Sequence, residues 1–167
     1  GDSGLDAPRG GDGLPARFVA YIGRLSREKG VHVLLEAAHL RPEIPVVIFG
    51  EGPENASLRE LAARHVSGVV FAGHASRAGI ESALRRTVAV VMPTLSPENA
   101  PMAILEAADA GVPVIVSDRG GLPELAKRVG GQVVPAGDVD ALAAALQDAW
   151  NDAGGRAAGA REVWRLH

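Results

Sequence analysis

The chain contains no cysteine, so neither a disulfide framework nor a thiolate nucleophile or metal ligand is open to it. Aromatic residues are 4% of the total, which argues against a base-stacking or sugar-stacking platform. Charge of one sign is also scarce. A net charge of −3 gives no reason to expect a nucleic-acid surface. No apolar run approaches the roughly 20 residues of a membrane-spanning helix. The opening stretch, GDSGLDAPRGGDGLPAR, lacks the basic-then-apolar pattern of a signal peptide. Two phosphate-binding signatures are missing as well: G-x-G-x-x-G and G-x-x-x-x-G-K-[ST]. NAD-linked and P-loop functions therefore drop away. What remains is ordinary globular composition, 47% hydrophobic and 22% charged over 167 residues, enough for one domain with a real core.

Residues 1–16 are rich in Gly, Asp and Pro and read as a flexible leader or linker, leaving 17–167 for the folded domain. From there strand-like and helix-like stretches alternate. Strands are expected at RFVAYIG (17–23), PVVIFG (45–50), GVVFAG (68–73), VAVVMP (88–93), PVIVSD (113–118) and QVVP (132–135). Helices are expected at about 30–41, 54–65, 76–86, 101–111, 122–128 and 138–150, with Ser76 as an N-cap and Pro101 opening its helix. Strands built from Val, Ile and Ala ask for burial on both faces, and their alternation with helices of 10–13 residues asks for a parallel sheet. The expectation is an open, doubly wound α/β domain of about six strands.

In such sheets ligands bind beyond the carboxyl ends of the strands, so the segments there carry the functional information. They are GRLSREKG (23–30), GEGPEN (50–55), GHAS (73–76), PTLSPENAP (93–101) and SDRGGLPE (117–124). In the first, Gly23 permits a sharp turn, and Arg24 and Lys29 can project towards a phosphate beside a helix N-terminus. The same charges also suit a solvated loop. Gly52 offers a close backbone contact or merely a tight turn. His74 follows the third strand, where a lone histidine is more often a hydrogen-bonded loop residue than a catalyst. No histidine or carboxylate spacing suggests a zinc site. Gly120 and Gly121 suit an anion or simply a turn. SPENAPMAILEA holds Glu98 and, after seven residues, Glu106. A carboxylate among Ile104, Leu105, Ala107 and Ala108 needs a partner, and two acids at this spacing can reach two hydroxyl-bearing parts of one ligand. A helix-dipole charge and an exposed acid explain them as well.

In this order and spacing the motifs resemble the C-terminal, donor-nucleotide-binding domain of retaining glycosyltransferases of family 4. The match runs from about Phe18 to Trp150 and takes in GRLSREKG, the GEGPE turn, VVFAGH, the E-x7-E pair in PENAPMAILEA, AGVPVIVSDRGGLPE and VPAGD. The resemblance implies a three-layer, Rossmann-like α/β/α domain, one half of a GT-B enzyme. It implies that Arg24 and Lys29 clamp the donor diphosphate, that Glu98 contacts the donor sugar, and that Glu106 binds the ribose. Gly23 belongs to the first loop. Asn99, Ala100 and Pro101 would bring backbone to the sugar or phosphate, Gly73 and His74 would lie near the base, and Leu105 beside the nucleotide. Many members carry Gly-Phe-Gly where this chain has Asn99, Ala100 and Pro101, which leaves the donor sugar open.

The implied reaction moves a sugar from a nucleotide-diphosphate sugar to an acceptor hydroxyl with retention of configuration, needing neither metal nor cofactor. Its partners would be the nucleotide-sugar donor and an N-terminal acceptor-binding domain absent from this chain, and the domain alone would be inactive. Nucleic acid is not expected. The expected location is the cytoplasm, with any contact with the inner face of a membrane made through the absent domain. Two alternatives stay open: another GT-B enzyme such as a nucleotide-sugar epimerase, and a non-catalytic Rossmann-like binding module.

Overall fold

A computed structural model describes residues 13–98 and 101–152. Within them six strands alternate with six helices. The strands are β1 (Phe18–Ile22), β2 (Val46–Phe49), β3 (Val69–Gly73), β4 (Thr87–Met92), β5 (Val114–Ser117) and β6 (Gln132–Val134). The helices are α1 (Val31–His39), α2 (Asn55–His65), α3 (Arg77–Leu84), α4 (Met102–Asp109), α5 (Leu122–Val129) and α6 (Val139–Asn151). A single 3-10 turn, Arg27–Lys29, leads into α1. All strand pairs are parallel, in the order β3-β2-β1-β4-β5-β6. The strand order reverses between β1 and β4, which is where doubly wound sheets open a ligand crevice.

Alternation along each strand divides the core in two. Val19 and Tyr21 of β1 join Val46 and Ile48 of β2 against α1, α2 and α6. Phe18 and Ala20 join Val47, Phe49, Val90 and Val116 against α3, α4 and α5. The result is the expected three-layer sandwich. β1, β2, β4 and β5 are buried almost throughout, as their Val- and Ile-rich sequences demand.

Three expectations need correction. β3 and β6 are edge strands and only partly buried, because each has one neighbour. The leader does not extend to residue 16: Leu14 packs against the α3–α4–α5 side of the core, and Pro15 is buried with its carbonyl accepting from Arg86 at 3.2 Å. Pro101 does not open α4 but stands before it as N-cap, extended at ψ 137°, with Met102 the first helical residue. Ser76 caps α3 as expected, its hydroxyl accepting from the Gly79 amide at 3.1 Å.

Candidate functional site

Four loops on the carboxyl rim are tied together by backbone contacts. The segment after β1 is joined to the one after β2: the Leu25 amide donates to Glu51 O at 2.9 Å, and the Glu54 amide to Leu25 O at 2.8 Å. The two glycines of GEGPEN permit this approach. A Cβ on Gly52 would lie 2.5 Å from Leu25 O, and one on Gly50 1.8 Å from Gly23 O. Gly23 in turn makes room for Tyr21, whose hydroxyl donates to Arg24 O at 2.6 Å. Burial, reinforced by the Glu98 and Glu28 charges, pushes the Tyr21 phenol well above its ordinary value. It therefore stays a donor.

The same β1–α1 segment is tied to the one after β4. The Leu95 amide and the Thr94 hydroxyl both donate to Glu28 O, at 2.8 and 3.0 Å. From these two braced loops the Lys29 ammonium and the Glu98 carboxylate meet in an ion pair, with side chains 24% and 19% exposed. So much desolvation of a charge is tolerated because each has the other. The β5–α5 turn holds Glu98 from the far side: the Gly121 amide donates to Glu98 O at 2.7 Å, and a Cβ on Gly120 would fall 2.4 Å from that oxygen. The pair of glycines thus makes a turn clamped on Glu98, and the Gly121 amide is committed there rather than to an anion.

The remaining predicted residues lie apart from this pair. Arg24, exposed, lines a cleft of about 320 Å3 with Gly23, Gly50, Glu51, His74 and Ile80. His74 is exposed there, and Gly73 supplies the positive φ, 71°, that turns the chain into it. Glu106 is half-buried on the wall of a separate groove of about 590 Å3 between α3 and α4, with Arg77, Glu81 and Arg85. Leu105 is half-buried against the α3–α4–α5 core. Asn99 and Ala100 lie outside the described residues. The structure thus brings Lys29 and Glu98 together and places Arg24 and His74 in one cleft, whereas the groove of Glu106 reaches Thr87 and Gly111 at the amino ends of β4 and β5, away from the rim. Among the described residues no cluster of three or more His, Asp or Glu forms a metal site. One D-x-D triplet does occur, Asp138-Val139-Asp140, but Asp138 caps α6, accepting from the Ala141 amide at 2.9 Å. Sequence reading missed the bracing role of Thr94 and Ser117; hydroxyl residues two positions after β4 and at the end of β5 were the available signal.

A family model described as glycosyl transferases group 1 matches residues 11–162. The chain belongs to that family. Among the family's members, the O-antigen chain mannosyltransferase C of Escherichia coli is 34% identical over 139 residues, 81% of this chain and 37% of its own length. Glycogen synthase of Mycobacterium tuberculosis H37Rv is 35% identical over 146 residues, 83% of this chain and 34% of its own. The crystal structure of Anabaena HepE in complex with UDP superposes with a TM-score of 0.81 at 26% identity, covering 92% of this chain and 44% of HepE. The chain thus spans a little over a third of each of these two curated relatives. The family and the GT-B type of Rossmann-like domain agree with the expectation from sequence. No helix of the described residues is long and apolar enough to cross a membrane.

Proposed function

We propose that this chain is the donor-substrate-binding domain of a glycosyltransferase that moves a sugar from a nucleotide-diphosphate sugar to an acceptor hydroxyl with retention of configuration. The observation that carries the proposal is the Lys29–Glu98 pair, a cation and a carboxylate fixed side by side on the rim next to the β1/β4 switch point. In this reading Lys29 and Arg24 face the donor diphosphate and Glu98 turns to hydroxyls of the transferred sugar. Glu106 takes the ribose. Gly73 and His74 lie by the base, and the backbone at Asn99 to Pro101 approaches the sugar. HepE, of like fold, was crystallised with UDP, which supports a nucleotide diphosphate as the ligand class.

As the bond between the anomeric carbon and the diphosphate breaks, positive charge spreads over the sugar ring and negative charge builds on the departing phosphate. A cation already held in place stabilises that charge without reorganising, so it acts more strongly on the transition state than on the ground state. No metal is required in this scheme. The acceptor is bound by a second domain of similar size, in keeping with the length of the relatives, and the present domain alone is inactive. A cytoplasmic location, at the membrane's inner face if the other domain binds there, fits the reading.

Calorimetric titration of the chain with UDP-, GDP- and ADP-sugars tests it. One of the three should bind, and Lys29→Ala should weaken that binding by roughly tenfold or more, the loss expected of a charge-assisted contact. Binding of none at millimolar concentration would overturn the donor-domain reading, and equal affinity in the variant would overturn the phosphate clamp.

A further inference from the structure

The Lys29–Glu98 pair joins residues 69 apart in sequence, and its geometry depends on how two loops are held. Thr94 lies at their junction and is fully buried. Its hydroxyl donates towards Glu28 O at 3.0 Å, lies 3.2 Å from Ser96 O, and accepts from the Ser96 amide at 3.3 Å. Its own carbonyl accepts from Ser117 Oγ at 2.6 Å, and Ser117 is 1% exposed. The contacts form a relay from the end of β5, through the second residue after β4, to the peptide that precedes Lys29. On the other side of Lys29, a Cβ on Gly30 would lie 2.2 Å from Pro93 O. Both neighbours of Lys29 are thus pinned to the 93–95 segment, which runs on to Glu98.

We infer that Thr94 is a positioning residue for the donor site, its buried hydroxyl holding the backbone beside Lys29 in register with the backbone leading to Glu98. Being fully buried, the hydroxyl offers no surface to a ligand. It acts through the pair. Without it, Glu28 O keeps the Leu95 amide, so the loops stay together, but the side-chain link is gone and the half-buried Ser96 amide loses a partner. The fold should survive such a change better than the alignment of the pair does. A serine at the position keeps the hydroxyl and should keep the alignment; valine keeps the volume and should lose it. The significance of the pair for a donor rests on the function proposed above, whereas the alignment itself does not.

Lys29 and Lys127 are the two lysines of the chain, and Lys127 is exposed, so it serves as an internal reference. Limited acylation with acetic anhydride, read by mass spectrometry on the whole chain, reports how firmly the Lys29 ammonium is held. Thr94→Val should raise Lys29 labelling relative to Lys127 by about fivefold, and Thr94→Ser should stay within about twofold of the parent, since one charge-assisted contact is worth about a tenfold preference. An unchanged ratio in a folded Thr94→Val overturns the inference. If that variant does not fold, Ser117→Ala loosens the relay from its other end; a rise of about twofold supports the inference, and no rise overturns it. Donor affinity forms the second arm: loss in Thr94→Val with recovery in Thr94→Ser is expected. Altered labelling with unaltered donor affinity overturns a positioning role at the donor site. Should the parent chain bind no nucleotide sugar, the donor-domain reading fails, and the labelling ratio still decides whether Thr94 aligns the pair.

Discussion

The centre of the carboxyl rim and its flank are built differently. At the centre, the loops after β1, β2, β4 and β5 are fastened to one another by backbone hydrogen bonds and by glycines with no room for a Cβ, and they hold Lys29 and Glu98 in contact. On the flank, among the described residues, the loop after β3 is tied in by a single backbone bond, from the Gly50 amide to Gly73 O at 2.8 Å. A Cβ on Gly73 would meet nothing within 4 Å, and His74 is exposed. In the proposed function the preformed charge pair faces the departing diphosphate, and the more open flank faces the base. On that reading, rigidity is concentrated where reorganisation would cost most during a reaction.

The contrast is most sharply broken at two glycines that both have positive φ. Gly50 lies at φ 137°, and its missing Cβ would overlap Gly23 O at 1.8 Å; Gly73 lies at φ 71° with space around it. Gly50→Ala must push the β1–α1 loop aside and should cost on the order of 3–5 kcal/mol. Gly73→Ala carries only the left-handed backbone penalty, about 1–2 kcal/mol. Urea unfolding of both variants tests this, and equal losses would show that the centre is no more tightly built than the flank. Next in size is Gly120→Ala, which forces a methyl towards the Glu98 backbone, 2.4 Å from its carbonyl oxygen. It should lower stability by about 2–3 kcal/mol and also weaken donor binding. Unaltered binding would mean that Glu98 is not held from this side.

The layers of the fold were legible because wholly apolar strands alternating with helices ask for cover on both faces of a parallel sheet. In the structure Val19 and Tyr21 face one helical layer and Phe18 and Ala20 the other, as the unbroken apolar run FVAYI requires. The positions of Lys29 and Glu98 on the rim followed from the strand ends, and the roles proposed for them rest on the order of the motifs. Their contact did not. It depends on the β1/β4 adjacency, which no local pattern encodes, and on hydroxyl-to-carbonyl bonds such as Thr94 to Glu28 O, spanning 66 residues. Leu14 and Pro15 were missed for a similar reason: a Gly- and Asp-rich neighbourhood hides one leucine whose partners lie far along the chain.

A smaller effect belongs to the flank. Ser76 caps α3 directly after His74 and Ala75, its hydroxyl accepting from the Gly79 amide. Ser76→Ala should cost about 1 kcal/mol by leaving a helix-end amide without its side-chain partner. Amide hydrogen exchange should speed up in the first turn of α3 and not around Lys29. Equal acceleration at both places would mean that flank and centre open together, against the independence their contacts suggest.

The smallest expected effect lies on the exposed edge of the braced centre. The Ser26 hydroxyl donates to the Glu28 carboxylate at 2.8 Å, and chiefly this bond, with the Glu28 amide and the charges of Lys29 and Arg24, holds the carboxyl below its ordinary value of 4.5. The folded chain therefore releases this proton more readily than the unfolded chain does. The resulting stability is complete above pH 4.5 and fades as the pH falls through the lower, folded-state value. Glu28→Gln removes the titration while keeping an acceptor for Ser26. Parent and variant should differ slightly at neutral pH and converge in acid, as read from urea midpoints across the range. A difference that stays constant with pH would show that the carboxylate charge contributes nothing to holding the turn that carries Lys29, leaving that task to the backbone bonds of the loops alone.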